Sequence, residues 1–150
     1  MRFAVIILLI FLFFSCSNDD KKISENGYAV SDTLLAWETN ADSMIMKRDA
    51  AVPDSAITIR RIINGLNEKY PEIQIDVIKQ SGDTIYIAVP DGEYLGNQMG
   101  SAGSSAWFAD AVINLTSVPG INYVSFKMDM YSHASSGVIS QEEYKGWKRE

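Results

Sequence analysis

Residues 108–130, FADAVINLTSVPGINYVSFKMDM, change hydrophobic period in mid-stretch, and the change decides the fold. Phe108, Ala111, Val112, Leu115 and Val118 recur at three- and four-residue steps, the apolar stripe of an α-helix, which leaves Asp110, Asn114 and Ser117 on the wet side. Pro119-Gly120 stops that helix. Val124, Phe126, Met128 and Met130 then alternate with Ser125, Lys127 and Asp129, as in a strand with one buried face.

Working upstream, Ser104 or Ser105 is placed to cap the helix, and residues 90–103 form the longest irregular stretch, with Gly92, Gly96, Gly100 and Gly103. Before it, Ile73, Ile75 and Val77 alternate with polar residues, Ser81-Gly82-Asp83 makes a turn, and Ile85, Ile87 and Val89 alternate again, which predicts a β-hairpin. Ile59, Ile62, Ile63, Leu66 and Tyr70 share one helical face, opposite Arg60, Arg61, Asn64 and Glu68. Pro53 fits the first turn of that helix, Asp54 or Ser55 its cap, and Pro71 its end. Met44-Ile45-Met46 is a possible first strand, and residues 33–37 are a short apolar patch. Downstream, Ser140 and Glu143 stand at capping-box spacing and predict a short helix reaching about Lys148. The expected fold is therefore α+β: a two-layer sandwich with one small mixed or antiparallel sheet and two amphipathic helices on one face. Parallel pairing is open to strands joined by a helix.

The stretch from Ile57 to Asp129 resembles the GerMN domain, a family named from spore germination and found in many bacterial lipoproteins. The carrying residues are 62–65 (IING), 87–89 (IAV), Gly100-Ser101 and, most specifically, 112–124 (VINLTSVPGINYV). Met128-Asp129-Met130-Tyr131 departs from the Gly turn with which the family usually continues. The resemblance implies a non-catalytic envelope binding or assembly module and brings no substrate with it.

The other end of the chain carries an address. Arg2 is followed by an unbroken apolar run, Phe3 to Phe14, and the single cysteine, Cys16, opens a polar run containing Asp19-Asp20-Lys21-Lys22. This is the anatomy of a secretory signal, too short for a comfortable membrane span. The ending Phe13-Phe14-Ser15-Cys16 resembles the lipobox of bacterial lipoproteins, in which the cysteine is acylated after cleavage; Phe13 stands where Leu is usual. The expected organisation is a signal peptide over 1–15, a lipidated tether over 16–30 and one GerMN-like domain over 31–150. The expected location is the cell envelope, at the outer membrane. Asp19-Asp20 fits either a surface-export signal or a solvated tether.

Thirteen basic residues against nineteen acidic ones give a net charge of −6, which offers no electrostatic case for nucleic acid. A lone cysteine excludes disulfides within the monomer and cysteine-rich metal sites. Phosphate-loop and dinucleotide signatures are missing from the glycine-rich stretch, and no cofactor or metal is expected. His133, the only histidine, has Ser132, Ser135 and Ser136 beside it, yet no nucleophile elbow surrounds them. Asp91 and Glu93 lack the spacing of a calcium loop, and turn chemistry accounts for them. The candidate partner-binding residues are Tyr94, Gln98, Met99, Ser101, Ser104 and Trp107, in and just after the glycine-rich stretch. They suit contact with an envelope protein or peptidoglycan. The alternative is a surface glycan-binding accessory protein that uses Trp37, Trp107 or Trp147 as a sugar platform.

Overall fold

The computed structural model describes residues 32–150, and they build two sheets where one was expected. In chain order the elements are β1 (Trp37–Asn40), β2 (Ile45–Arg48), α1 (Ile59–Lys69), β3 (Asp76–Ser81), β4 (Thr84–Ala88), α2 (Gly100–Leu115), β5 (Tyr123–Lys127), β6 (Gly137–Ser140) and β7 (Lys148–Arg149). The larger sheet has the order β3-β4-β5-β6 and the smaller one β1-β2-β7. The fold is α+β. Cys16, the signal over 1–15 and the tether over 16–30 lie outside the described residues. No described helix is long and apolar enough to cross a membrane.

Thr58 starts α1 by accepting a hydrogen bond from the Arg61 N–H at 3.4 Å. Ile57 and Ile62, at the positions of a hydrophobic staple, are both buried in the main core. Pro53 and Asp54 therefore do not open this helix; residues 54–56 form a separate 3₁₀ turn. Gly65 lets the chain cross α1 closely, since a Cβ there would stand 2.6 Å from the Leu34 carbonyl oxygen.

The hairpin forms, with β3 antiparallel to β4. Ile73 and Ile75 are buried ahead of β3, but the register shifts between Val77 and Lys79, and Val77 is left 43% exposed. The crossover through α2 then makes β4 and β5 parallel, placing Ile85 beside Val124 and Ile87 beside Phe126. These four residues form a continuous buried face. Ile62, Ile63 and Leu66 of α1 and Ala111, Val112 and Leu115 of α2 belong to the same cluster.

Three further expectations need correction. Residues 90–103 are largely helical: a π turn spans Tyr94–Gln98 and α2 already begins at Gly100. β5 ends at Lys127, so Met130 lies outside the sheet and is 87% exposed. Ser140 does cap a turn, accepting from the Glu142 N–H, but the turn is a 3₁₀ piece of four residues, Gln141–Tyr144. It cannot continue, because the Lys148 and Glu150 N–H groups bond the Met44 and Met46 carbonyls of the small sheet.

The most consequential difference concerns α2. Asp110 and Asn114, assigned to its wet side, are 1% and 0% exposed. The small sheet covers that side. Ala109 and Ile113 pack with Met46, Trp37, Tyr144 and Trp147 in a second cluster, so α2 is buried on two faces.

Candidate functional site

Two surfaces emerge from this frame. The first is built where the π turn and the start of α2 meet the loop after β5. The Gly96 N–H bonds the Gly92 carbonyl at 2.8 Å and the Met99 N–H the Tyr94 carbonyl at 3.0 Å. Tyr131 packs directly on this turn, and a Cβ on Gly96 would lie 2.1 Å from the Tyr131 Cβ. Backbone bonds fix the loop: the His133 N–H donates to the Gly96 carbonyl at 2.9 Å, and the Ser132 N–H to Asn97 Oδ1 at 3.2 Å. Ser101 Oγ then stands 3.1 Å from His133 Nδ1. A groove of about 620 Å³ runs past Ser101, Phe108, Met130, Tyr131, His133 and Ile139.

This geometry divides the expected binding residues. Tyr94, Gln98 and Ser101 are exposed, and Met99 is half-buried against the core. Ser104 and Trp107 are removed from the set. Because α2 begins at Gly100, Ser104 sits in its second turn, buried, with its Oγ donating to the Leu95 carbonyl at 2.5 Å. Trp107 is fully buried, edge-on to Phe108 at 5.1 Å and tilted against Phe126 at 5.5 Å. It can offer no stacking platform.

The serines adjacent to His133 in sequence are not its partners. Ser136 instead bridges the N–H and carbonyl of Met128. Among the described residues no carboxylate hydrogen-bonds the imidazole, and the Ser101 contact is solvent-exposed. Asp91 Oδ1 accepts from the Glu93 N–H, and Glu93 Oε2 accepts from Asn97 Nδ2, both local turn bonds.

The second surface lies beside the small sheet and rests on a buried polar network. Asp110 Oδ1 accepts from Thr39 Oγ1, while Oδ2 accepts from Lys69 Nζ and the Tyr70 hydroxyl, each at 2.5 Å. Burial first, and then the hydrogen bond to Asp110 and its charge, push the Tyr70 phenol well above its ordinary range. Asn114 completes the seam. Its Oδ1 accepts from the Trp37 N–H at 2.9 Å, and its Nδ2 donates to the Trp37 carbonyl at 3.0 Å. One side-chain amide thereby satisfies both backbone groups of a strand residue.

Above this network a groove of about 450 Å³ is lined by Leu35, Trp37, Glu38, Lys47, Asp49 and Lys69. Arg48 also borders it, but its guanidinium is engaged by the Ala36, Asp49 and Val52 carbonyls and by Asp54 Oδ1, at 2.9–3.1 Å. Trp37 and Trp147 are half-buried, and Trp147 packs edge-on against Tyr144 at 5.3 Å.

Sequence reasoning did not find Thr39, Lys69, Asp110 and Asn114 as a unit. One signal was present: Asp110 and Asn114 are four residues apart, and Ala109, Ala111, Ile113 and Leu115 around them leave no broad polar face. No family model, curated protein or solved structure matches this chain.

Proposed function

We propose that this chain is a lipid-anchored, non-catalytic interaction module of the bacterial cell envelope. It binds an envelope protein or peptidoglycan through the surface that carries Tyr94, Gln98 and Ser101. The observation that carries this reading is the junction of Ser101 with His133, which joins two distant segments into one exposed groove of about 620 Å³. The anchor is Cys16, and its acyl chains would hold the module at the outer membrane. The likeness of residues 57–129 to the GerMN domain supports binding or assembly rather than turnover, and rests on the quoted residues. A serine that meets its histidine in open solvent, with no carboxylate among the described residues bonded to the ring, gives little support to nucleophilic catalysis.

The test is cross-linking in cells that carry the intact lipoprotein, followed by recovery of bound material. Cys16→Ala and a Tyr94→Ala/Ser101→Ala double variant serve as comparisons. The expected result is a reproducible envelope protein, or cell-wall sacculus, lost from both variants. Identical recovery with the double variant would reject this surface.

A second reading, a surface glycan-binding accessory protein, is favoured by one observation. Trp37 borders the groove of about 450 Å³ among charged side chains of both signs. An indole beside polar groups is the chemistry that sugar rings require.

A further inference from the structure

Among the cations that line the small-sheet groove, Lys69 is held by a buried carboxylate. Lys69 lies at the last turn of α1, and Asp110, 1% exposed, holds its ammonium by one hydrogen bond. Asp110 is itself fixed by Thr39 and Tyr70. A lysine ammonium has three donors, and among the described residues Asp110 is its one hydrogen-bond acceptor. The side chain is 37% exposed and lines the groove, which leaves donors for an acceptor there. Burying an acid so that a surface lysine is held in place gives that lysine less freedom to lose on binding.

The neighbouring charges narrow the occupant. Arg48 is engaged by four protein oxygens and contributes little free donor capacity. Asp49 Oδ1 accepts from the Ala51 N–H at 2.9 Å. Glu38 stands opposite Lys47 in the β1–β2 register, both exposed, so this pair can exchange hydrogen bonds with hydroxyls at little electrostatic cost. Trp37, half-buried and with the Arg48 guanidinium 5.8 Å from its ring centre, borders a cavity of one- or two-ring size, about 450 Å³, with the part of its indole left uncovered.

We infer that this groove binds a saccharide carrying a carboxylate, with Lys69 as the partner of the carboxylate and Trp37 as the apolar contact of the ring. The inference rests on the glycan-binding reading and adds a charge requirement to it. Lys69 discriminates acid from neutral sugar; Trp37 discriminates sugar from a bare anion.

The experiment is a ¹H–¹⁵N shift titration of the full chain with sodium glucuronate, its neutral methyl ester and sodium acetate. Glucuronate is expected to shift the Trp37 and Lys69 signals and to bind about tenfold more tightly than the ester, with acetate weaker still. Lys69→Arg should retain this preference and Lys69→Gln should lose it. The comparison of three ligands on the unaltered protein stands even if Lys69→Gln fails to fold. Equal binding of acid and ester would overturn the charge requirement while leaving the glycan reading intact. Acetate binding as well as glucuronate would reduce the site to an anion contact and overturn the inference. No shift with either sugar would overturn both readings.

Discussion

The two sides of α2 are held by different forces. Toward the four-stranded sheet, Ala111, Val112 and Leu115 join Ile85, Ile87, Val124 and Phe126 in an apolar cluster, where contact area decides stability. Toward the three-stranded sheet, the helix adds Asp110 and Asn114, each bonded to named atoms of β1. The first side tolerates small shifts of shape. The second specifies position, since a buried polar group displaced from its partner loses nearly all of its compensation. The contrast explains how a sheet of short strands can be seated accurately on a helix and carry a groove at its margin.

The comparison is tested most severely by truncating each side. Phe126→Ala should cost about 3–5 kcal/mol, through lost burial and the cavity left behind. Both sheets should unfold together, and a urea melt followed by near- and far-ultraviolet circular dichroism checks the cooperativity. Asp110→Ala should cost about 3 kcal/mol, because Tyr70 and Thr39 lose their acceptor and Lys69 its ion pair. Here the loss should fall first on the small sheet, so that signals of β1 and β2 broaden before those of β4 and β5.

How much of this was legible follows the same division. Periodicity located both amphipathic helices, the hairpin and β5, because area-driven packing leaves a repeating mark on the chain. It also allowed the parallel β4–β5 pair, which the crossover through α2 requires. What it missed depends on partners distant in sequence. Asp110 and Asn114 read as solvent-facing because those residue types usually are, but the partner of Asn114, Trp37, lies 77 residues away, and Thr39, which bonds Asp110, lies 71 residues away. The strands β1 and β7 are too short to show a period, and β7 exists because β2 accepts it. The Ser101–His133 contact is hidden in the same way, as a meeting of the first turn of α2 with a loop residue 32 positions on.

Smaller effects sharpen the contrast. Thr39→Val keeps the shape of the side chain but removes one donor to Asp110, and should cost about 1 kcal/mol. A Val at an apolar position of β5 has no comparable partner to lose. Alkali should act on the polar side first. Tyr144, in the small-sheet cluster, is pushed up to about 12 by burial and secondarily by the Glu143 charge, and Tyr70 is raised in the same direction. An unfolded tyrosine ionises near 10, so the stability these phenols contribute is complete below that pH and falls as pH rises through their folded values. Urea midpoints measured from pH 9 to 12 should decline above 10, and Tyr144→Phe should flatten the decline.

The most direct measurement is hydrogen exchange at the Trp37 amide in the wild type and in Asn114→Ala. The Trp37 N–H is expected to be protected in the wild type and to exchange far faster in the variant, while the Ile87 and Val124 amides keep their protection. Rapid exchange at Trp37 in the wild type, or equal loss of protection in both sheets on substitution, would contradict the claim that a directional polar seam seats the small sheet on α2.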